Sequence, residues 1–303
     1  MAMIILTNIF QSLIDSPFYR YAFFAGICIG VLAPLIGTVV VIRRLSFIAD
    51  TLSHFSLAGV AIGVFLSKLI NSDFFAFDPI LMGVVFSVAG TFIIEKLRGF
   101  YKNYKELSMP ILMSFGVALS GLFIYLTPGI STNWTTGLLF GSIYSISGRD
   151  IIMIVALSAA VIILAIVFYK KIVCLCFDEV YARISGINVK FIQLAITVVL
   201  ALVISIFIDL VGVLLISSLM IIPVAAAILV GDSFKNTIVS SVIFSEISII
   251  FGFSFSYYLN LPTGSTIVLF NVAILLLIMA FSRIRKIRYI REGTEERNNK
   301  KTE

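Results

Sequence analysis

Charge is scarce in this sequence. Only 13% of its 303 residues are Asp, Glu, Lys or Arg, 60% are hydrophobic, and mean hydropathy is +1.12. A soluble domain carries roughly 25% charged residues. There is one histidine, His54, one tryptophan, Trp134, and three cysteines, Cys28, Cys174 and Cys176. No Gly-Lys pair occurs, so the chain has no P-loop to cradle a nucleotide phosphate. A single histidine excludes a His-Glu-x-x-His metalloprotease helix. Three cysteines give no disulfide framework, and Cys174-x-Cys176 has no further Cys or His nearby to complete a metal site. The first twenty residues, with Asp15, Pro17 and Arg20, lack the basic start and small-residue cleavage site of a signal peptide. Residues 1–20 are expected to form an interfacial segment. Strand-period alternation over ten-residue segments is also missing, which excludes a membrane β-barrel.

What the chain has is long apolar runs. A helix needs about 20 apolar residues to cross a bilayer, and eight or nine segments approach that length. They fall at 21–42, 46–68, 78–96, 107–127, 151–169, 191–209, 211–230, 237–258 and 264–283. The expected fold is an all-α polytopic transmembrane helical bundle over 21–285, followed by a polar cytoplasmic tail, 286–303, disordered from Arg291. The stretch 131–147, "STNWTTGLLFGSIYSIS", is too polar and short for a span and suits a re-entrant or surface helix. Net charge is +6, but the basic residues cluster in alternate loops and at the C-terminus, which is how topology is written rather than a nucleic-acid footprint. Arg43, Arg44, Lys96, Arg98, Lys170, Lys171, Lys190 and Lys235 mark the cytoplasmic loops, and the C-terminus is expected inside. Gly26 and Gly30, Gly59 and Gly63, and Gly137 and Gly141 are spaced for close helix packing. Pro34 and Pro223 lie inside spans and are expected to kink or break them.

The polar residues inside these runs need a reason, since an ionisable group at membrane depth costs a few kcal/mol. Asp50 and His54 are four residues apart, so they share one helix face with about 6 Å of rise between them. A carboxylate oxygen with an imidazole nitrogen suits zinc, manganese or ferrous iron better than an alkali ion. The plainer alternative is a capping Asp50 and a hydrogen-bonded His54. Glu246 lies in an otherwise uncharged span at about 14 Å depth, a level similar to that of His54. It is expected as a third ligand; its alternative is a structural carboxyl. Asp209 and Cys28 are possible pathway residues.

Several stretches resemble the permease subunit of ATP-binding-cassette importers for zinc, manganese and iron. "VVVIRRLSFIADTLSHFSLAGVAIG" resembles that family's second-helix block, an arginine pair followed by Asp-Thr-Leu-x-His. "CFDEVYARISGI", Cys176 to Ile187, resembles the cytoplasmic segment that docks into the ATPase subunit. "VGVLLISSLMIIPVAAAILV" resembles the block ending in Ile-Pro-Ala, "SYYLNLPTGSTIVL" the block opening the last span, and "GLLFGSIYSIS" the outward segment after the fourth span. The likeness runs from about residue 20 to about 285.

The resemblance implies a bacterial inner-membrane permease that is not itself an enzyme. Its Asp50 and His54 would sit in the translocation path. Asp178, Glu179, Arg183 and Gly186, within 177–190, would belong to the ATPase-docking segment. The partners implied are a second copy of the chain, a cytoplasmic ATP-binding subunit, an extracytoplasmic metal-binding protein and membrane lipid. No cofactor is bound permanently; the divalent metal is cargo. One histidine with two carboxylates leans toward manganese or iron over zinc. The alternatives are a secondary ion-coupled transporter, for which no convincing inverted repeat is found, and a permease of the same architecture for a metal chelate or vitamin.

Overall fold

The computed structural model describes residues 17–70, 79–101, 103–141, 148–259 and 261–302, and among them it contains twelve α-helices and no strand. They are α1 (Pro17–Ile42), α2 (Phe47–Ile70), α3 (Pro79–Phe100), α4 (Ser108–Leu126), α5 (Thr132–Phe140) and α6 (Gly148–Val167). After these come α7 (Tyr169–Phe177), α8 (Glu179–Ile184), α9 (Val189–Val211), α10 (Val213–Ile228), α11 (Phe234–Leu259) and α12 (Thr263–Thr302). Eight helices are long and apolar enough to cross a membrane: α1 to α4, α6, α9, α11 and the apolar part of α12. The 16-residue α10 is the ninth apolar run, about 24 Å long. The expected residues 1–20 interfacial segment lies largely outside the described residues.

α10 is apolar on every side, and such a helix belongs in a core. Its Val213, Leu215, Ile216, Leu219, Met220 and Val224 are buried, with α1, α2, α11 and α12 packed around it. Around this centre the usual soluble pattern is inverted. α11 buries Thr237, Ser241, Ser245, Ser248, Gly252 and Ser256 and exposes Ile243, Ile247, Phe251 and Phe255. In lipid nothing apolar is gained by facing inward, so close packing and hydrogen bonds decide the inner face. Thr51 of α2 donates to the Met109 carbonyl at 3.1 Å, and Ser56 to the Ser205 hydroxyl at 3.0 Å, tying α2 to α4 and α9.

Two of the glycine pairs, Gly26 with Gly30 and Gly59 with Gly63, lie at helix crossings. A Cβ on Gly59 would press on Met82 and Phe86 of α3, and one on Gly26 or Gly30 on Ile249 of α11. Neither proline ends its helix: α1 runs through Pro34 and α10 through Pro223. Neighbouring groups in a bundle take over what the proline frees. The carbonyl that Pro34 frees is that of Gly30; one turn on, the Thr38 hydroxyl donates to the Pro34 carbonyl at 2.8 Å. A true break falls at Gly212 instead, between α9 and α10, with φ at 82°. A Cβ there would strike the backbone of Phe140 and Gly141, the end of α5. The short α5, about 14 Å long, packs on α9, α10 and α12, so its backbone is covered by protein. Residues 142–147 of the expected outward segment lie outside the described residues. At the other end of the chain α12 continues to Thr302, where disorder was expected. The tail is rich in Glu, Arg and Lys, which are good helix formers.

Candidate metal pathway

α2 begins just past a tight reversal. Arg44 adopts φ 58°, the Leu45 N–H donates to the Val40 carbonyl at 2.8 Å, and the Arg44 N–H to Val41 at 2.9 Å. This closes α1 with an arginine where a glycine usually stands. Asp50 falls in the first turn of α2, where the helix dipole favours a carboxylate. His54 follows one turn on, and the Asp50 carboxylate is its electrostatic neighbour. Both side chains are half-buried. Gly116 of α4 lets that helix pass within contact of the His54 and Phe55 backbone, fixing α2 from behind.

Asp50 faces a cavity of about 590 Å³. Leu214, Ser217, Ser218 and Ile221 of α10 line it, with Ser265 and Leu269 of α12. The serine hydroxyls are oxygen donors beside the carboxylate. The Ser218 hydroxyl donates to the Leu215 carbonyl at 2.9 Å, which leaves its lone pairs toward other groups. Sequence reasoning missed these three serines. The signal was present in "ISSL", a hydroxyl pair inside an apolar run, and in "PTGST" at the start of the last span.

Glu246 lies elsewhere. α2 packs on α3, α4, α9 and α10, whereas α11 packs on α1, α10 and α12. A Cβ on Gly30 would lie 2.5 Å from Glu246 Oε1, so the carboxyl rests on the bare backbone of α1. That atom is buried without a hydrogen-bond partner among the described residues. Pro34, four residues beyond Gly30, has no N–H to offer the Gly30 carbonyl. Cys28 feels the charge of Glu246, and its thiol lies beside Ser158 of α6. Among the described residues no three His, Cys, Asp or Glu side chains gather as a group that could hold a metal. The structure thus brings Asp50 and His54 together and leaves Glu246 and Cys28 in a separate cluster. Asp209 lies in α9, with its side chain outside the described residues.

At the basic end, α8 is a short helix followed by a glycine. Asp178 caps it, accepting from the Val180 and Tyr181 N–H groups at 2.8 and 2.9 Å. Gly186, at φ 78°, follows its last turn. Phe177, Val180, Tyr181 and Ile184 stand exposed on it. Below, Ala182 is held by Leu175, Val189 and Ile192. Glu179 pairs with Arg183 at 3.0 Å and with Arg43 at 3.5 Å. Arg43 also donates to Gln193 at 3.0 Å, and Gln193 to Glu95 at 2.6 Å. Burial pulls the Arg43 guanidinium below its usual value, with Glu179 opposing. This chain of contacts joins α8 to the ends of α1, α3 and α9, four residues before α2 begins.

Comparison with known proteins follows the same lines. The profile of the ABC 3 transport family matches residues 15–282. A "Probable metal transport system membrane protein" of Treponema pallidum is 35% identical over 271 residues, covering 89% of this chain and 98% of that one. The manganese transport system membrane protein MntC of Listeria monocytogenes is 30% identical, with 89% and 92% covered. The high-affinity zinc uptake system membrane protein ZnuB of Buchnera aphidicola is 32% identical, with 87% and 96% covered. Among solved structures, PsaBC from Streptococcus pneumoniae in complex with Fab superimposes with a TM-score of 0.78 at 27% identity, over 90% of this chain and 95% of that one.

Proposed function

This chain belongs to the ABC 3 transport family, and from that premise we propose that it is the membrane-spanning permease of an ATP-driven importer of a divalent transition metal. The observation that carries the reading is Asp50 of α2, with His54 one turn on, opening on a cavity of about 590 Å³ that has Ser217, Ser218 and Ser265 in its wall. The ion passes through a transient site at this pair. Relatives named for manganese and for zinc leave both open as cargo. One imidazole among carboxylate and hydroxyl oxygens favours manganese, since thiolate and several imidazoles enrich zinc sites. Cys28 does not reverse this lean, because it lies in the Glu246 cluster.

Two ligands and a few hydroxyls in one chain are a sparse set for an ion that takes four or more donors. A second copy across a two-fold axis doubles the set, and the exposed Leu214 and Leu269 at the cavity rim give it apolar surface to meet. An extracytoplasmic binding protein delivers the metal at the face opposite the basic loops. A separate ATP-binding subunit docks on the exposed apolar side of α8, and its motion reaches α2 through Glu179, Arg43 and the reversal at Arg44. The basic loops and the C-terminus lie in the cytoplasm.

The test is metal accumulation in cells expressing the whole system, for wild type, Asp50→Ala, His54→Ala and Glu246→Gln, across manganese, zinc and iron. The expected result is loss of one metal's uptake in the first two variants, with the detergent-purified assembly intact. Unchanged uptake in both would remove the pair from the pathway.

A further inference from the structure

A second cavity lies apart from the Asp50 face and is its chemical opposite. It holds about 350 Å³ among α1, α6, α7, α9 and α11, at the basic end of the bundle. Its wall is hydrocarbon throughout apart from the Tyr169 hydroxyl. Leu164, Tyr169 and Phe191 line it and are also exposed, so it reaches the outer surface of the chain. A site for a small soluble molecule carries a few placed polar groups to orient it; none stands inside this one.

Polar groups flank its lining residues in the chain instead, and they carry one sign. Lys170 and Lys171 lie between the lining residues Tyr169 and Ile172, Lys190 precedes the lining Phe191, and Lys235 follows the lining Phe234. All four lysines are exposed. None is in an ion pair among the described residues, and the Lys171 ammonium rests over the Phe168 ring at 5.4 Å. Of the carboxylates on the same stretches, Asp178 caps α8 and Glu179 pairs with Arg43 and Arg183, which leaves Asp232. These stretches keep a net positive charge.

We propose that this cavity holds an acyl chain of one anionic phospholipid, with the lipid phosphate gathered by Lys170, Lys171, Lys190 and Lys235. The hydrocarbon wall accepts a chain of any lipid, and the lysines select the headgroup. Flexible stems let the four ammonium groups meet a phosphate at the level of the headgroups. Basic pockets between membrane helices attract anionic lipid in this way. The lipid then braces Phe168, the turn between α6 and α7, and the Tyr169–Phe234 ring contact, 6.1 Å between centroids. That turn leads through α7 into α8. This inference goes beyond the transport reading, and metal uptake is not its readout.

The experiment is native mass spectrometry of the purified full chain in detergent, after exchange with phosphatidylglycerol or phosphatidylcholine. The wild type should retain one phosphatidylglycerol per chain at least about tenfold better than phosphatidylcholine, given the attraction of each lysine for an anionic surface. The quadruple variant K170Q/K171Q/K190Q/K235Q should retain both lipids alike. Ala195→Trp, or Leu164→Trp where the first elutes as aggregate, fills the cavity and should lose both. Equal retention of the two lipids by the wild type overturns the proposal, as does unchanged retention in the cavity-filling variants. Protection of Lys170 and Lys171 from acylation by the ATP-binding subunit rather than by lipid assigns these lysines to that subunit and overturns it as well.

Discussion

Asp50 and Glu246 each place a carboxylate inside an apolar helix, but their surroundings differ. Asp50 has a histidine one turn away on the same face and a cavity with three serines before it. Glu246 has the bare backbone of Gly30 against one oxygen and the Cys28 thiol nearby. Counted along the helix from the charged loops, Glu246 lies about as deep as His54, one turn beyond Asp50. Rotation about the helix axis is what separates them, because each residue turns the side chain by about 100°. A residue's level in a membrane can be counted from the nearest charged loop, whereas its face is set by the helices it packs against. The carboxylate that meets open space can take and release an ion. The one pressed into a helix crossing is placed to hold two helices together.

The sharpest way to break this comparison is transport. Partners outside a metal's ligand sphere already cost about 10–100-fold on removal, so Asp50→Ala or His54→Ala should lower uptake by at least that range. Glu246→Gln keeps the shape of the side chain and should leave uptake near the wild-type level. Equal loss in all three would unite the two sites and undo the distinction.

Stability should separate them in the opposite sense. Gly30→Leu must push Glu246 and Ile249 aside, and overpacking of this kind costs about 1–3 kcal/mol. Thermal unfolding in detergent should show it, while Asp50→Asn, whose side chain faces the cavity, should shift the midpoint far less. Gly212→Ala tests the break between α9 and α10. Its φ of 82° and the backbone of α5 leave no room for a Cβ, so a loss of about 1–2 kcal/mol from the left-handed conformation alone is expected. Proteolysis rates at the α9–α10 junction would report it.

A smaller effect is expected at Ser218. Its hydroxyl already has a partner at 2.9 Å, so Ser218→Ala should spare folding and weaken uptake by about one hydrogen bond's worth, near tenfold at most. The smallest stability effect belongs to Glu179→Gln. Its pair with Arg43 is half-exposed on the acid side, and such pairs contribute about 0–1 kcal/mol. ATP-stimulated uptake is the more sensitive measure there, since the proposed role of Glu179 is to join α8 to the end of α1.

Much of the fold was legible. Scarce charge and nine apolar runs gave the all-α membrane bundle, and the helices fall on those runs to within a few residues. The short helix α8 carries local signals at its ends: Asp178 before the helix and Gly186 after it act on their own neighbours in sequence. The prolines were misleading for a related reason. A proline removes a local hydrogen bond, but in a bundle other groups replace the loss, and Pro34 and Pro223 sit inside helices that continue. The break went to Gly212, where close approach of α5 demands a residue without a side chain. At the tail, composition was read as disorder where α12 continues.

By itself, the sequence determined which segments enter the membrane, which loops carry the charge, and that Asp50 and His54 share a face. Those properties follow from hydropathy and from the helical repeat, which are functions of neighbouring residues only. The tertiary structure decided that Asp50 opens on a cavity edged by Ser217, Ser218 and Ser265, and that Glu246 turns instead toward Gly30. It also assembled one hydrocarbon-walled cavity from five helices, with exposed lysines of three separate segments next to its lining residues in the chain. Those relations depend on which helix lies beside which, and that choice is made by steric fit and hydrogen bonding between segments far apart in the chain.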